Sequence, residues 1–327
     1  RVKLPVSRPS LLRAARRALY FVAGAWAVYL IAANAVGRSA WLQRKLSAEP
    51  QGQQIAFTDF WTVVPGNFHL RNLRATFQYQ TGTQVRVEGD RTEIDSALAP
   101  LLLRHVVASR LSIDGFVYQE RDATHPLEGD PSIATAEPLD PTKAPTALWY
   151  DEAKAGWQIR IDDLRITHAR ELWFYPFRYR GDATVTGAVR LRPNRELAFE
   201  RLRLELEPGT GELAGAPALT DLHGWIEGTL DPIAPDELRD PKVLRSLTVA
   251  TALTTDVEDA AFVNRFLDRR VAIVAGKGGR MAVSATMDHG RLIAPGDAWA
   301  SIDSLWVNAG GVAVKNKLHA SASSHLN

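Results

Sequence analysis

The sequence predicts a mainly β protein carried on one N-terminal membrane-length helix. Three observations lead there: an uncharged run from Ala18 to Gly37, a period-two alternation of apolar and polar side chains from Ile55 onward, and Gly, Asp, Asn and Pro turn signals between the alternating runs.

The run at 18–37, ALYFVAGAWAVYLIAANAVG, is long enough at 1.5 Å per residue to cross about 30 Å of hydrocarbon. It is apolar on all sides and flanked by charge, unlike a buried soluble helix, and it is longer than a signal-peptide core with no small-residue cleavage site after it. Leu19, Phe21, Trp26, Tyr29, Leu30 and Ile31 are the expected membrane contacts. Asn34 is polar, and the aromatic residues are spread along the run, which leaves room for neighbouring helices. Residues 1–17 carry Arg1, Lys3, Arg8, Arg13, Arg16 and Arg17 without an acid, against Arg38, Arg44 and Lys45 after the run. The positive-inside bias therefore places 1–17 in the cytoplasm and the bulk outside, as a single-pass inner-membrane protein of the periplasm. The chain opens on Arg1 rather than Met, and its strand pattern is still running near Lys315, so a longer native chain is expected.

Residues 38–121 read as the first part of the β region. Thr76-Phe-Gln-Tyr-Gln80 and Gln84-Val-Arg-Val-Glu88 alternate strictly, as one-sided strands do. A short helix is expected near Ser96–Val107, with Pro100 obscuring its start. Residues 122–147, with Pro126, Pro131, Pro138, Pro141 and Pro145, read as a long exposed loop. From 148 to 327 the alternation resumes in Trp157–Ile161, Leu164–Ile166, Ala183–Val185, Val189–Leu191 and Leu202–Leu206, consistent with an antiparallel meander. Across Asp162-Asp163 the apolar phase shifts, which predicts a bulge or a tight bend. A capping-box pattern at Thr255–Glu258 predicts a short helix over 256–269.

Composition removes several classes of function. The 327 residues hold 39 basic and 37 acidic side chains for a net +2, so nucleic acid is not an expected partner. There is no cysteine, which excludes disulfides, thiolate catalysis and cysteine-ligated metals. The histidines lack metal spacing, no G-x-S-x-G elbow occurs, and Asp162-Asp163 point to opposite faces of a regular strand. Gly276-Lys-Gly-Gly-Arg280 lacks phosphate-loop spacing and is followed by alternating sequence, so it reads as a hairpin turn. The aromatic run Leu172–Tyr179 reads chiefly as core, with a docking edge as the sharper alternative. No catalytic residues, no metal and no cofactor are expected, and the chain does not read as an enzyme.

The order of the segments carries a family resemblance. After the basic segment and membrane helix come Gly66-Asn-Phe-His-Leu-Arg-Asn-Leu73, Val85-Arg-Val-Glu88, Ile94-Asp-Ser-Ala-Leu-Ala-Pro-Leu-Leu-Leu103 and Leu111-Ser-Ile-Asp-Gly-Phe-Val117. This series resembles the AsmA-like superfamily, the TamB- and YhdP-related group of bridge-like lipid transfer proteins. The resemblance implies an elongated, curved antiparallel sheet, a β-groove with one or two short helices, whose concave face holds lipid acyl chains. On that face it implies Ile159, Ile161, Val185, Val189, Leu191, Leu202, Leu204 and Leu206 as lipid-binding residues, with Arg160, Thr184, Arg190, Arg203 and Glu205 on the wet side. Alternation alone fits equally the core of a closed sandwich. The functional expectation is phospholipid binding or transport for cell envelope maintenance, with phospholipid, the inner membrane and envelope proteins as partners. The alternative is a scaffolding subunit of an envelope assembly.

Overall fold

The structure is a computed structural model that describes residues 8–48, 53–78, 83–101, 105–122, 158–174, 176–192, 196–213, 215–233, 241–265, 272–309 and 312–324. The expected loop at 122–147 lies outside these residues apart from Asp122. The protein is mainly β behind an N-terminal apolar helix, α1 (Arg8–Gly37), followed by α2 (Ala40–Ala48). Among the described residues, sixteen strands form one sheet. They are β1 (Gln53–Ala56), β2 (Asp59–Trp61), β3 (Asn67–Gln78), β4 (Thr83–Ser96), β5 (His105–Asp114), β6 (Val117–Asp122), β7 (Gln158–Thr167) and β8 (Glu171–Phe174). Then follow β9 (Phe177–Arg180), β10 (Ala183–Arg192), β11 (Glu196–Leu213), β12 (Ala216–Ile233), β13 (Leu247–Val257), β14 (Ala272–Asp288), β15 (Arg291–Ala309) and β16 (Val312–Ser324). A one-turn helix, α3 (Leu98–Leu101), is what forms of the helix expected near 96–107.

The expected plain meander needs correction in two respects. First, β5 and β7 run parallel, as do β6 and β8, with Gln158 at the start of β7 paired to His105 at the start of β5. Second, the pairing closes on itself: β10 bonds both β7 and β11, so β10-β7-β5-β4-β6-β8-β9-β11 is a circuit, from which β12–β16 extend. The circuit closes the sheet as a barrel where an elongated, open groove was expected, and its inside is a packed seam. β5 with β6, β7 with β8, and β9 with β10 are successive pieces of single chain runs broken at one level. Backbone bonds stitch the break, among them Phe116 N to His168 O at 3.1 Å, Arg170 N to Phe116 O at 2.9 Å, Ala169 N to Ala183 O at 2.9 Å and Glu207 N to Asp182 O at 2.9 Å. Asn72, His168 and Asp221 take left-handed φ of 49°, 51° and 50° along this line, the local cost of turning each run there.

A buried cluster gathers at the seam: Ile113, Phe116, Leu164, Ile166, Leu172, Tyr179, Leu206, Leu219 and Leu222. Tyr179 is only 2% exposed, and its hydroxyl lies 2.9 Å from the carbonyl of Asp182 and 2.5 Å from that of Glu207. A Cβ at Gly209 would come within 2.6 Å of its ring, so glycine is required there. The aromatic run therefore divides: Leu172, Trp173 and Tyr179 are buried, whereas Phe174 is exposed against Tyr118, ring centroids 4.9 Å apart.

Two further expectations are corrected. The helix expected over 256–269 is a 3-10 helix at Ala260–Arg265. Thr255 does not cap it: it stays in β13, 2% exposed, donating to Thr220 O at 2.8 Å, and Asp259 accepts the Ala261 amide instead. The run 276–280 makes no hairpin, because β14 continues through it opposite β15. A Cβ at Gly279 would fall 2.1 Å from Ser301 O, so close backbone approach accounts for its glycine. At Asp162-Asp163 the register with β10 shifts between Leu164↔Gly187 and Ile161↔Val189, which is the expected bulge.

Burial, followed by the charges of Asp182 and Glu207, pushes the Tyr179 phenol up to about 12 from 10.0. A folded value above the unfolded one means the folded state holds the proton longer, so this contribution is whole below pH 10 and is lost as pH rises toward about 12. Tyr179→Phe is expected to lower the unfolding free energy by about 1–3 kcal/mol at neutral pH. It should also remove that share of the alkaline loss, both read from urea unfolding at neutral and alkaline pH.

Candidate functional site

Directly paired residues in a sheet share a face, so the register gives the composition of each side. One row runs Leu70, Thr92, Ile113, Ile166, Val185, Leu204, Ile226, Thr251 across eight successive strands from β3 to β13. A second runs Ala108, Ile161, Val189, Phe199, Leu230, Leu247, and a third Val106, Ile159, Leu191, Leu197, Ile233. The opposite face carries Glu93, Ser112, Arg165, Thr186, Arg203, Glu227 in one row. The sheet is thus apolar on one side and charged on the other over at least six strands.

All eight residues expected on the concave side fall on the apolar face. Leu206, beside the seam, is buried at 8% exposure, while Ile159, Ile161, Val185, Val189, Leu191, Leu202 and Leu204 are half-buried. Five of these, Ile161, Val185, Val189, Leu202 and Leu204, also pack against the seam cluster. Burial varies along this face: Ala108, Leu230 and Ile233 are buried, while Ile159, Leu191 and Leu197 keep part of their surface open. Each acyl methylene laid against such surface would gain about 0.8 kcal/mol over water.

Two strands besides β7 hold the faces apart by the same device. Residues 109–110 of β5 and 200–201 of β11 are pairs of consecutive exposed polar residues, flanked by register shifts, and Arg201 takes φ of 48°. In each case two neighbours turn to the charged face, so the apolar phase resumes one residue later. Sequence reading found only Asp162-Asp163, yet Ser109-Arg110 and Glu200-Arg201 carry the same signal.

On the charged face, Arg160–Asp162 (2.6 Å), Arg165–Asp163 (3.1 Å), Arg190–Glu200 (2.9 Å) and Arg203–Glu205 (2.7 Å) are mostly exposed pairs. Such pairs contribute roughly 0–1 kcal/mol each, so they mark the wet side more than they stabilise it. A tighter group is Arg178, 3.0 Å from Glu171 and 3.2 Å from Glu212, its guanidinium 4.5 Å from the Trp173 ring. Gln119 donates to the same Glu171 at 2.8 Å. This clamp ties β6, β8, β9 and β11, and no sequence spacing announces it. Among the described residues no group of three His, Asp or Glu side chains could hold a metal ion.

Of the expected membrane contacts, Leu19, Phe21, Trp26 and Ile31 are exposed, at 66%, 78%, 40% and 73%. Tyr29 and Leu30 are half-buried against the sheet. Arg16–Gly37 is the one stretch among the described residues long and apolar enough to cross a membrane. Asn34 binds the sheet and not a second helix: its amide donates to Thr62 O at 2.9 Å and accepts the Thr62 amide at 3.0 Å. Gly37 faces Phe60, whose ring a Cβ would meet at 1.9 Å, and Arg38 donates to Phe60 O at 2.9 Å. No family model matches the chain, and no curated protein or solved structure compared with it is similar to it.

At the seam, His168 Nδ1 lies 2.7 Å from Asp114 Oδ1. The hydrogen bond to Asp114, then the charges of Asp182 and Asp114, raise the imidazole above 6.5. Its contribution is therefore whole below pH 6.5 and lost as pH rises through the folded value. An NMR titration should give His168 a midpoint above 6.5 that falls back in Asp114→Asn.

Proposed function

We propose that the chain is a single-pass inner-membrane protein of the AsmA-like kind, with α1 in the bilayer and the sheet in the periplasm, that binds phospholipid and helps move it for envelope maintenance. The observation that carries this reading is an apolar face that continues over at least six strands and on which Ile159, Leu191 and Leu197 stay half-buried. An open face of this kind, curved into a trough, offers acyl chains a lane and needs no headgroup pocket. The resemblance in segment order supports the lipid.

A scaffolding role has one observation in its favour. Among the described residues β16 pairs on one side only, with β15, leaving a sheet edge that could accept a strand from another protein.

The two readings separate on a photo-crosslinking pair. With p-benzoylphenylalanine at Val189 of the full chain in membranes, illumination should yield phospholipid adducts detectable by mass spectrometry, and at Arg190, on the charged face, it should not. Leu191→Glu, at a position that does not pack against the seam cluster, should abolish adducts from a probe at its neighbour Ile159 while leaving the melting temperature nearly unchanged. Protein adducts in place of lipid at Val189 favour the scaffold. Global unfolding of Leu191→Glu means the face is a sealed core.

A further inference from the structure

The turn between β2 and β3, Val63-Val-Pro-Gly66, presents two adjacent valines at 50% and 52% exposure. They lie next to α1, and the hydrogen bonds fix how far along it. Phe60 packs on Gly37 at the end of the apolar run, and the chain then heads back along α1 toward its N-terminus. Thr62, 2% exposed, is bonded to Asn34 through its backbone and lies 3.2 Å from the Tyr29 hydroxyl through its own. At 1.5 Å rise, Asn34 is about 4.5 Å and Tyr29 about 12 Å back from Gly37 along the axis. The turn that follows Thr62 is therefore level with the last turns of the run and not beyond them.

The geometry points to the Val63–Gly66 turn as a wedge inserted in the outer leaflet beside α1, at the boundary of headgroups and acyl chains. Its partner is the bilayer that holds the helix. Charge placement agrees: Arg38 and Asp59, 3.2 Å apart, mark the headgroup level, and Asp95, which accepts the Asn67 amide at 2.5 Å, is on the charged face of the sheet. The wedge also sets where the apolar face meets lipid. Phe60, Leu70 and Phe68 share that face, the Phe60 and Phe68 rings are 5.8 Å apart, and Phe68 opens the row Ile94, Leu111, Leu164. An apolar path thus leads from the helix end into the sheet, and lipid would join it at this end.

This inference rests on α1 spanning the membrane, and the test separates the two. The chain has no cysteine, so single substitutions label cleanly. Val64→Cys, Phe21→Cys and Arg190→Cys of the full chain, each carrying an environment-sensitive fluorophore, are placed in lipid nanodiscs at one copy per disc. Some discs contain phospholipid with a nitroxide near the headgroup end of the acyl chain, others near its terminus. The wedge predicts blue-shifted emission at Val64→Cys with strongest quenching by the shallow nitroxide, quenching also at Phe21→Cys near the inner end of the span, and none at Arg190→Cys. Water-like, unquenched emission at Val64→Cys with Phe21→Cys still quenched overturns the wedge alone. Blue-shifted but unquenched emission means protein covers the turn and also overturns it. No quenching at Phe21→Cys overturns the span, and the wedge with it.

Discussion

Everything in this structure depends on keeping side-chain parity across long, kinked strands. In a sheet, a slip of one residue sends every apolar side chain to the opposite face. Strands that must turn at the seam and again near residues 109, 162 and 200 would lose their phase at each irregularity. They keep it by spending a pair of consecutive polar residues on the wet side. Asp162 and Asp163 are held there by Arg160, Arg165 and Arg110, so the ion pairs fix which way the extra residue faces. The exposed pairs contribute little to stability one by one, yet they set the orientation on which the apolar rows depend.

The second constraint is the junction of helix and sheet. Asn34 in the apolar run would be costly in hydrocarbon with its amide unpaired, and Thr62 answers both its donor and its acceptor. Gly37 lets Phe60 approach, and Arg38 bonds the carbonyl of the same residue. The helix end is thereby tied to the first edge of the sheet on its apolar side, which gives the apolar face a definite place relative to α1.

Much of this was legible in the sequence, for identifiable reasons. The apolar helix is legible because twenty uncharged residues of this composition favour one continuous helix, and the strands because alternation is a local signal. The bulge at Asp162-Asp163 is legible because a doubled polar position breaks that alternation. Long-range relations were not. The parallel pairing of β5 with β7 depends on where the chain re-enters after residue 157, and the circuit through β10 depends on breaks that all fall at one level. Thr255 shows the limit of a local rule: its spacing to Glu258 fits a helix cap, but burial and the Thr220 carbonyl keep it in the strand. Asn34 read as a contact for another helix because its partner is 28 positions away.

The sheet is oily on one side, charged on the other and fastened at one edge to an apolar helix, and the proposed lipid-binding role requires the oily side to stay open. The most direct test is a nitroxide scan of residues 158–167 in the full chain in bilayers, comparing collisions with oxygen and with a water-soluble nickel chelate. The account predicts oxygen contact at Ile159 and Ile161, neither reagent at Leu164 and Ile166 inside the seam cluster, and nickel contact at Arg160, Asp162, Asp163 and Arg165, with the phase break at the two aspartates. Unbroken alternation through 162–163, or Ile159 and Ile161 reached by neither reagent, would contradict it.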